Sequence, residues 1–368
     1  RSHLAQFELS LPTAPTNPGA TAIGMNTITW SWQDNSSNET GFRVYDDPGS
    51  GPPPTLRTVT AANTLSWQHT GLPANTQYAV QVSAMGSLES AKTANYAAWT
   101  LIEPVSALTF SAVGMDAITV HPANTPSGLT AGNSGLYFAN TTAGTDSGWQ
   151  KTGTPWVVSG LLPNRAYTFK GRSRNGAGVE TADVTATKWT LIEPISSLVF
   201  LEMGTTGFTV TSENTPSNLG AGSSGIQFNC NGHVSEWKTD NTPWVCTGLF
   251  PNRVFTVVGA ARNGEGYHST WTYTDICTLA EIPGAPWVYG PAAHSLTVGV
   301  NPGDNPSTTL YAITVSPSVN GNTWVQGDGT IGGVPVYRTD DEWGATTVNG
   351  LAEYTLYSFT VEAQNEYG

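Results

Sequence analysis

Charge is scarce in this chain. Of its 368 residues only 11 % are Asp, Glu, Lys or Arg, and lysine occurs five times. Acidic residues outnumber basic ones 27 to 14, for a formal net charge of −13. That balance lacks the basic footprint with which proteins hold nucleic acid or anionic lipid surfaces. Cysteine is almost missing. Cys230, Cys246 and Cys277 lie in one stretch and form no repeated framework, so one disulfide with a free thiol and three buried thiols both fit them. The six histidines are scattered, none in a metal-binding spacing and none beside a nucleophile motif. No apolar run approaches the ~18 residues of a membrane-spanning helix. The sequence opens on Arg1 with no secretory leader, so a processed chain or a piece of a longer one is expected.

What the chain has in quantity is turn formers, with 40 Gly and 24 Pro among many Thr, Ser and Asn. This composition indicates a turn-rich all-β protein whose surface is mostly uncharged and polar, as suits an extracellular protein. The acidic runs Asp46-Asp47 and Asp340-Asp341-Glu342 lack the ligand alternation of a calcium loop and read as solvated turns. Gly327-Asp328-Gly329 reads as a hairpin turn. No helix follows any glycine cluster, so none is arranged to cradle a phosphate. Neither a metal nor a cofactor is expected, and nothing makes a positive case for an enzyme.

A long period runs through the sequence. Trp99-Thr100-Leu101-Ile102-Glu103-Pro104 returns as Trp189-Thr190-Leu191-Ile192-Glu193-Pro194, Thr125-Pro126-Ser127 as Thr215-Pro216-Ser217, and Thr154-Pro155-Trp156-Val157 as Thr242-Pro243-Trp244-Val245. Such a period means a tandem array of one domain type. Each unit also carries a Gly-Leu pair with an aromatic six residues after the Leu, at Leu72/Tyr78, Leu161/Tyr167, Leu249/Phe255 and Leu351/Tyr357, each opening an alternating strand. This pattern is similar to the tyrosine corner of Greek-key sandwiches, whose ring packs inward and whose hydroxyl bonds to nearby backbone; Phe255 keeps only the packing.

Ile28-Thr29-Trp30-Ser31-Trp32, followed by Asp34 to Tyr45, resembles strands B and C of a bacterial fibronectin type III domain. Arg174-Asn175-Gly176-Ala177-Gly178 and Arg262-Asn263-Gly264-Glu265-Gly266 resemble its F–G turn. The other units lack the strand-B Trp and carry Val120, Val210 and Val298 nearby. The resemblance implies four tandem antiparallel seven-stranded β-sandwiches and no single activity. The expected units are 13–101, 102–191, 192–280 and 281–368, preceded by a strand-G-like segment, 1–12.

That leading segment sets up the functional expectation. Strand G of each unit is expected to end on an aligned triplet, Trp99-Thr100-Leu101, Trp189-Thr190-Leu191 or Cys277-Thr278-Leu279, and Leu9-Ser10-Leu11 supplies a fourth copy. Ala5, Phe7, Leu9 and Leu11 alternate with polar residues, the period of a half-buried strand. The last unit runs only to its F–G turn, Asn365-Glu366-Tyr367-Gly368, and is expected to lack its own strand G. The expectation is an extracellular filament subunit joined head to tail with identical copies by donor-strand complementation. Ala5, Phe7, Leu9 and Leu11 are the donor, and Tyr357, Phe359 and Val361 on strand F are the acceptor. The alternatives are a piece of a longer cell-surface adhesin or glycan-binding array, in which Trp149, Trp237 and Trp324 would stack on sugars, and the accessory region of a secreted glycoside hydrolase. Asn35, Asn38 and Asn140 stand in glycosylation sequons.

Overall fold

A computed structural model of the chain describes residues 11–46, 54–365 and 367. By contact the chain divides into two compact units, Arg1–Leu162 with Ala166–Thr190, and Pro163–Arg165 with Leu191–Gly368. The first unit begins with β1 (Thr16–Ile23), β2 (Thr27–Gln33), β3 (Gly41–Asp46), β4 (Thr55–Ala61), β5 (Ser66–Thr70), β6 (Gln77–Met85) and β7 (Tyr96–Trp99). They make two antiparallel sheets, β1-β2-β5 and β4-β3-β6-β7. It continues with β8 (Leu108–Ser111), β9 (Ala117–Pro122), β10 (Gly135–Asn140), β11 (Thr145–Asp146), β12 (Trp156–Ser159), β13 (Ala166–Arg174) and β14 (Val184–Trp189), in sheets β8-β9-β12 and β11-β10-β13-β14.

The second unit repeats the plan. β15 (Leu198–Met203), β16 (Gly207–Ser212), β17 (Gly225–Cys230), β18 (His233–Val234), β19 (Trp244–Thr247), β20 (Val254–Arg262) and β21 (Thr272–Cys277) form sheets β15-β16-β19 and β18-β17-β20-β21. The last repeat comprises β22 (Gly284–Tyr289), β23 (Ser295–Asn301), β24 (Leu310–Val319), β25 (Asn322–Val325), β26 (Ile331–Gly332), α1 (Asp340–Trp343), β27 (Thr346–Asn349) and β28 (Ser358–Gln364). Its sheets are β22-β23-β27 and β26-β25-β24-β28. In every repeat a three-stranded sheet faces a four-stranded one across a single apolar cluster.

The alternation read from the sequence decides which residues fill those clusters. Along β2 the inward set is Ile28, Trp30 and Trp32, all buried, while Thr27, Thr29 and Ser31 stay partly exposed. Full burial of side chains this large contributes about 1.5–3 kcal/mol each. Where the other repeats replace Trp30, the smaller Val120, Val210 and Val298 are equally buried. Tyr167 is buried and its hydroxyl accepts from the Leu162 amide at 2.8 Å, and the half-buried Tyr357 accepts from the Ala352 amide at 3.0 Å. Phe255 is buried, keeping the packing expected of it. Tyr78 is half-buried and meets His69 edge-on, their centroids 5.7 Å apart.

The recurring hexapeptides join one repeat to the next, opening on Trp99 or Trp189 at the end of β7 or β14. Ile102 and Ile192 are buried, and the following glutamates tie down the B–C segments. Glu103 accepts from the amide (3.0 Å) and hydroxyl (2.9 Å) of Ser127, and Glu193 does the same with Ser217 (3.0 and 2.5 Å). One local reading needs correction. Asp340-Asp341-Glu342 is not a turn but the first turn of α1, whose N-cap Thr339 and Glu342 satisfy each other's backbone amides in a capping box. The helix buries Trp343, whose indole nitrogen donates to the Tyr311 carbonyl at 2.7 Å. Gly327-Asp328-Gly329 does turn the hairpin between β25 and β26.

Candidate functional site

Two features distinguish the poles of the sandwiches. The first is an asparagine three residues after the Leu of the Gly-Leu pair in the first three repeats, a position the sequence reading passed over. Asn75, Asn164 and Asn252 all adopt the left-handed conformation, φ 48°, 48° and 47°, which asparagine tolerates better than most residues. All three are buried. Asn75 donates through Nδ2 to the carbonyls of Ser127 (2.8 Å) and Gly128 (2.9 Å) of the following repeat. Its Oδ1 accepts from the Gly176 amide (2.9 Å) and the Ser134 hydroxyl (3.0 Å). Within the second unit Asn164 donates to Ser217 and Asn218 (both 2.9 Å) and accepts from the Gly264 amide (2.9 Å). Asn252 donates to the Thr309 hydroxyl at 2.7 Å. Both ends of the carboxamide of Asn75 and of Asn164 are therefore used, as a buried amide requires.

The second feature is the edge of the last sandwich. In the first three repeats the F strand, β6, β13 or β20, is covered on its outer side by β7, β14 or β21. In the fourth, β28 is itself the outer strand, and among the described residues nothing pairs beyond it. The core shows the consequence. Val288 on β22 lies opposite Val298, on the inward face, yet is 45 % exposed, whereas Phe110 and Phe200, its counterparts on β8 and β15, are half-buried. On β28 Val361 is buried, Phe359 half-buried, and both belong to the core cluster together with Tyr357. The three acceptor residues thus face one apolar interior. A cleft of about 360 Å³ opens at the same end of this sandwich, lined by Ala292, Leu296, Leu351 and Tyr357 among others.

Of the donor residues, Ala5, Phe7 and Leu9 lie outside the described residues; Leu11 is 60 % exposed and outside any strand. The complete repeats do set the register a donor must satisfy. Trp99 pairs with Gln77, Trp189 with Ala166 and Cys277 with Val254, the residue before the corner aromatic in each case. The strand-G residues opposite that aromatic, and so on the core side, are Ala98, Lys188 and Ile276, one position earlier. Aligning Leu9 with Trp99 by the triplet would therefore turn Glu8 and Gln6 inward. Aligning by polarity puts Leu9 opposite Tyr357 and Phe7 opposite Phe359. The two clues differ by one residue, and a one-residue slip exchanges the faces.

Trp149 and Trp237 are both half-buried against strand-F arginines. The guanidinium carbon of Arg174 lies 4.1 Å from the Trp149 ring centroid and that of Arg262 lies 4.3 Å from Trp237, while Tyr137 and His268 flank the two rings at 5.3 and 4.9 Å. One face of each indole is thus occupied by a cation–π contact. Trp324 is half-buried on β25, opposite Thr314 and Gly332. Asn35 is exposed and donates to the Ala14 carbonyl and the Thr16 hydroxyl (both 3.0 Å), and Asn38 is exposed. Asn140 is 1 % exposed and its Oδ1 accepts from the Thr142 and Ala143 amides, so the folded repeat keeps that sequon inside a turn.

All three cysteines are buried and none forms a disulfide, which settles the two readings in favour of buried thiols. Burial, and then the neighbouring Cys246, push the Cys230 thiol up to about 12. Burial also raises Cys246. Asp46 pairs with Arg57, and Asp47 lies outside the described residues. Among the described residues no group of three or more His, Cys, Asp or Glu could hold a metal ion, and no helix is long and apolar enough to cross a membrane.

No family model and no curated protein matches the sequence. Among solved structures, a two-domain fibronectin type III segment of chicken tenascin aligns with 48 % of this chain and 100 % of its own length, at 17 % identity and a TM-score of 0.37. The FN1-FN3 domains of chicken CNTN1 align with 73 % of this chain and 100 % of theirs, at 12 % identity and 0.27. An Fn3-like protein of Clostridium thermocellum aligns with 24 % of this chain and 92 % of its own, at 24 % identity and 0.21. The strand order carries the assignment: in the first three repeats an A-B-E sheet faces a C′-C-F-G sheet, with a corner aromatic opening strand F. The chain is a tandem array of fibronectin type III-like β-sandwiches.

Proposed function

We propose that this is an extracellular structural protein whose copies join head to tail, the segment Ala5 to Leu11 of one copy serving as strand G for the fourth sandwich of another. The observation that carries the reading is the outer edge of β28, with Val288 left 45 % exposed beside it, where the other three sandwiches carry a seventh strand. An edge of this kind offers a row of backbone donors and acceptors over an apolar floor. Strand addition supplies the main-chain ladder, and side-chain pockets supply the register. Polarity sets that register: burying Glu8 and Gln6 would cost several kcal/mol, whereas Phe7 and Leu9 would each gain about 1.5–3 kcal/mol at full burial. Phe7 therefore pairs with Phe359, Leu9 with Tyr357 and Ala5 with Val361. A contact between unlike ends that does not close into a ring extends a fibre.

The test is a chain lacking Arg1 to Leu11. It stays monomeric, and its fourth sandwich exchanges amide hydrogens faster than the other three. A peptide of residues 1–11 restores protection along β28, and the same segment appended after Gly368 gives a self-capped monomer. If the shortened chain still forms fibres, strand donation is wrong. If the peptide leaves β28 unprotected, the strand that completes this sandwich comes from elsewhere.

A further inference from the structure

We infer that the joint between copies is apolar where the joints within the chain are polar, with Tyr354 and Leu356 of one copy seated on the F–G turn of another copy's first sandwich, around Leu88. The inference rests on the strand-donation reading and adds to it the surface that docks beside the strand. Tyr354 stands at the corner position held elsewhere by Asn75, Asn164 and Asn252, in the same left-handed conformation with φ 55°. Those three asparagines are buried, whereas Tyr354 is fully exposed and Leu356 is 89 % exposed. A large side chain in this conformation costs about 1–2 kcal/mol. The fold spends that energy to project a ring into solvent beside the cleft over Leu296, Leu351 and Tyr357.

The opposite pole is altered to match. Inside the chain the corner asparagine meets the backbone amide of an F–G glycine, Gly176 or Gly264. The first sandwich carries Ser87-Leu88 in its F–G turn, and Leu88 is 48 % exposed. The tether brings the two poles together. A donor strand ending at Leu11 leads at once into Pro12, which is buried with its Cδ 3.4 Å from where a Gly86 β-carbon would stand. The turn bearing Leu88 therefore begins beside the end of the donor strand. The polarity register also places Leu9 where Ala98, rather than Trp99, stands in an intact repeat, so the joint is one residue shorter than those inside the chain. Apolar pads tolerate such a change in spacing better than a four-point amide clamp, whose hydrogen bonds require fixed geometry.

The test uses Tyr354→Cys in the full chain, because the three native thiols are buried and stay silent. A maleimide should label the introduced thiol readily in the shortened monomer, and at least about tenfold more slowly in fibres, as expected for a site that must open before it reacts. In parallel, Leu88→Asp should slow fibre growth while the peptide of residues 1–11 still protects β28 of the shortened chain. Equal labelling in fibre and monomer, or growth unchanged by Leu88→Asp, overturns the apolar joint and leaves strand donation standing. Failure of the peptide to protect β28 overturns both.

Discussion

Gly176 lies against the indole of Trp99, so close that a β-carbon built on it would stand 2.5 Å from Cε3 and Cη2 of the ring. The F–G turn of the second sandwich thus presses bare backbone onto the end of β7, and space rather than an unusual backbone angle requires the glycine.

Gly176→Ala should therefore pry the two sandwiches of the first unit apart at this point. The expected cost is about 1–3 kcal/mol, as for overpacking elsewhere. Pairing it with Trp99→Ala should recover part of the loss. Thermal unfolding of the single and double variants measures the coupling, and simple additivity would contradict the contact.

Asn75→Ala should leave the Gly176 amide and the Ser127 and Gly128 carbonyls short of partners. The loss is about 1–3 kcal/mol for a group left buried and unsatisfied, plus the strain of an alanine at positive φ. Asn75→Asp keeps a side chain tolerant of that backbone but turns a carboxylate oxygen toward the two carbonyls, and should be at least as damaging. Asn75→Gly separates the terms, since it relieves the backbone and still loses the clamp. Hydrogen exchange at the Gly176 amide reports the clamp directly.

The thiols provide a native-state check of the third core. With Cys230 pushed up to about 12 by burial and Cys246 raised as well, no significant thiolate exists near neutral pH. A thiol reagent at pH 8 should modify none of the three cysteines in the folded chain and all three after denaturation. Rapid modification of Cys230 or Cys246 without unfolding would show that the two sheets of that sandwich part readily.

Acid should loosen the start of the second repeat. Partial burial pushes the Glu103 carboxyl up, but the amide of Ser127, its own amide and the Ser127 hydroxyl together outweigh it, so its pKa lies below the ordinary value. A lowered folded-state pKa means stability that is present above the unfolded value, about 4.3, and is lost as pH falls through the folded one. Glu103→Gln should thus be less stable than the parent at pH 7 and converge with it once the pH has fallen below the lowered folded-state pKa. A gap that persists unchanged to low pH would mean that the carboxylate charge contributes nothing.

The sandwiches were legible because their signals are local. Alternation along β2, turn formers between strands and the corner aromatics each depend on a few neighbouring residues. The clamp was not, although a Gly-Leu-x-x-Asn pattern precedes three of the four corner aromatics. Asn75 acquires its role from a left-handed backbone and from partners 52 to 101 residues away, which adjacent sequence does not announce. The acidic stretch before Trp343 had a readable signal in Thr339-x-x-Glu342, the spacing of a capping box, hidden by the brevity of the helix. Asn140 shows the opposite limit, since a sequon says nothing of burial. The donor register shows a third: triplet identity and polarity pointed one residue apart, and only the pairing of Ala98, Lys188 and Ile276 with the corner aromatics exposed the conflict.

The antiparallel F–G ladder has a mechanical corollary. In each of the first three sandwiches strand G runs directly into the next linker, so tension along the chain pulls β7, β14 or β21 lengthwise past its F strand. Loaded in shear, the rungs of Tyr78 to Ala98, or of Tyr167 to Lys188 and their neighbours, must fail together rather than peel one by one. Resistance to a steady pull is then governed by the unfolding rate and not by equilibrium stability. If a donated strand occupies the outer edge of β28, it is loaded in the same direction.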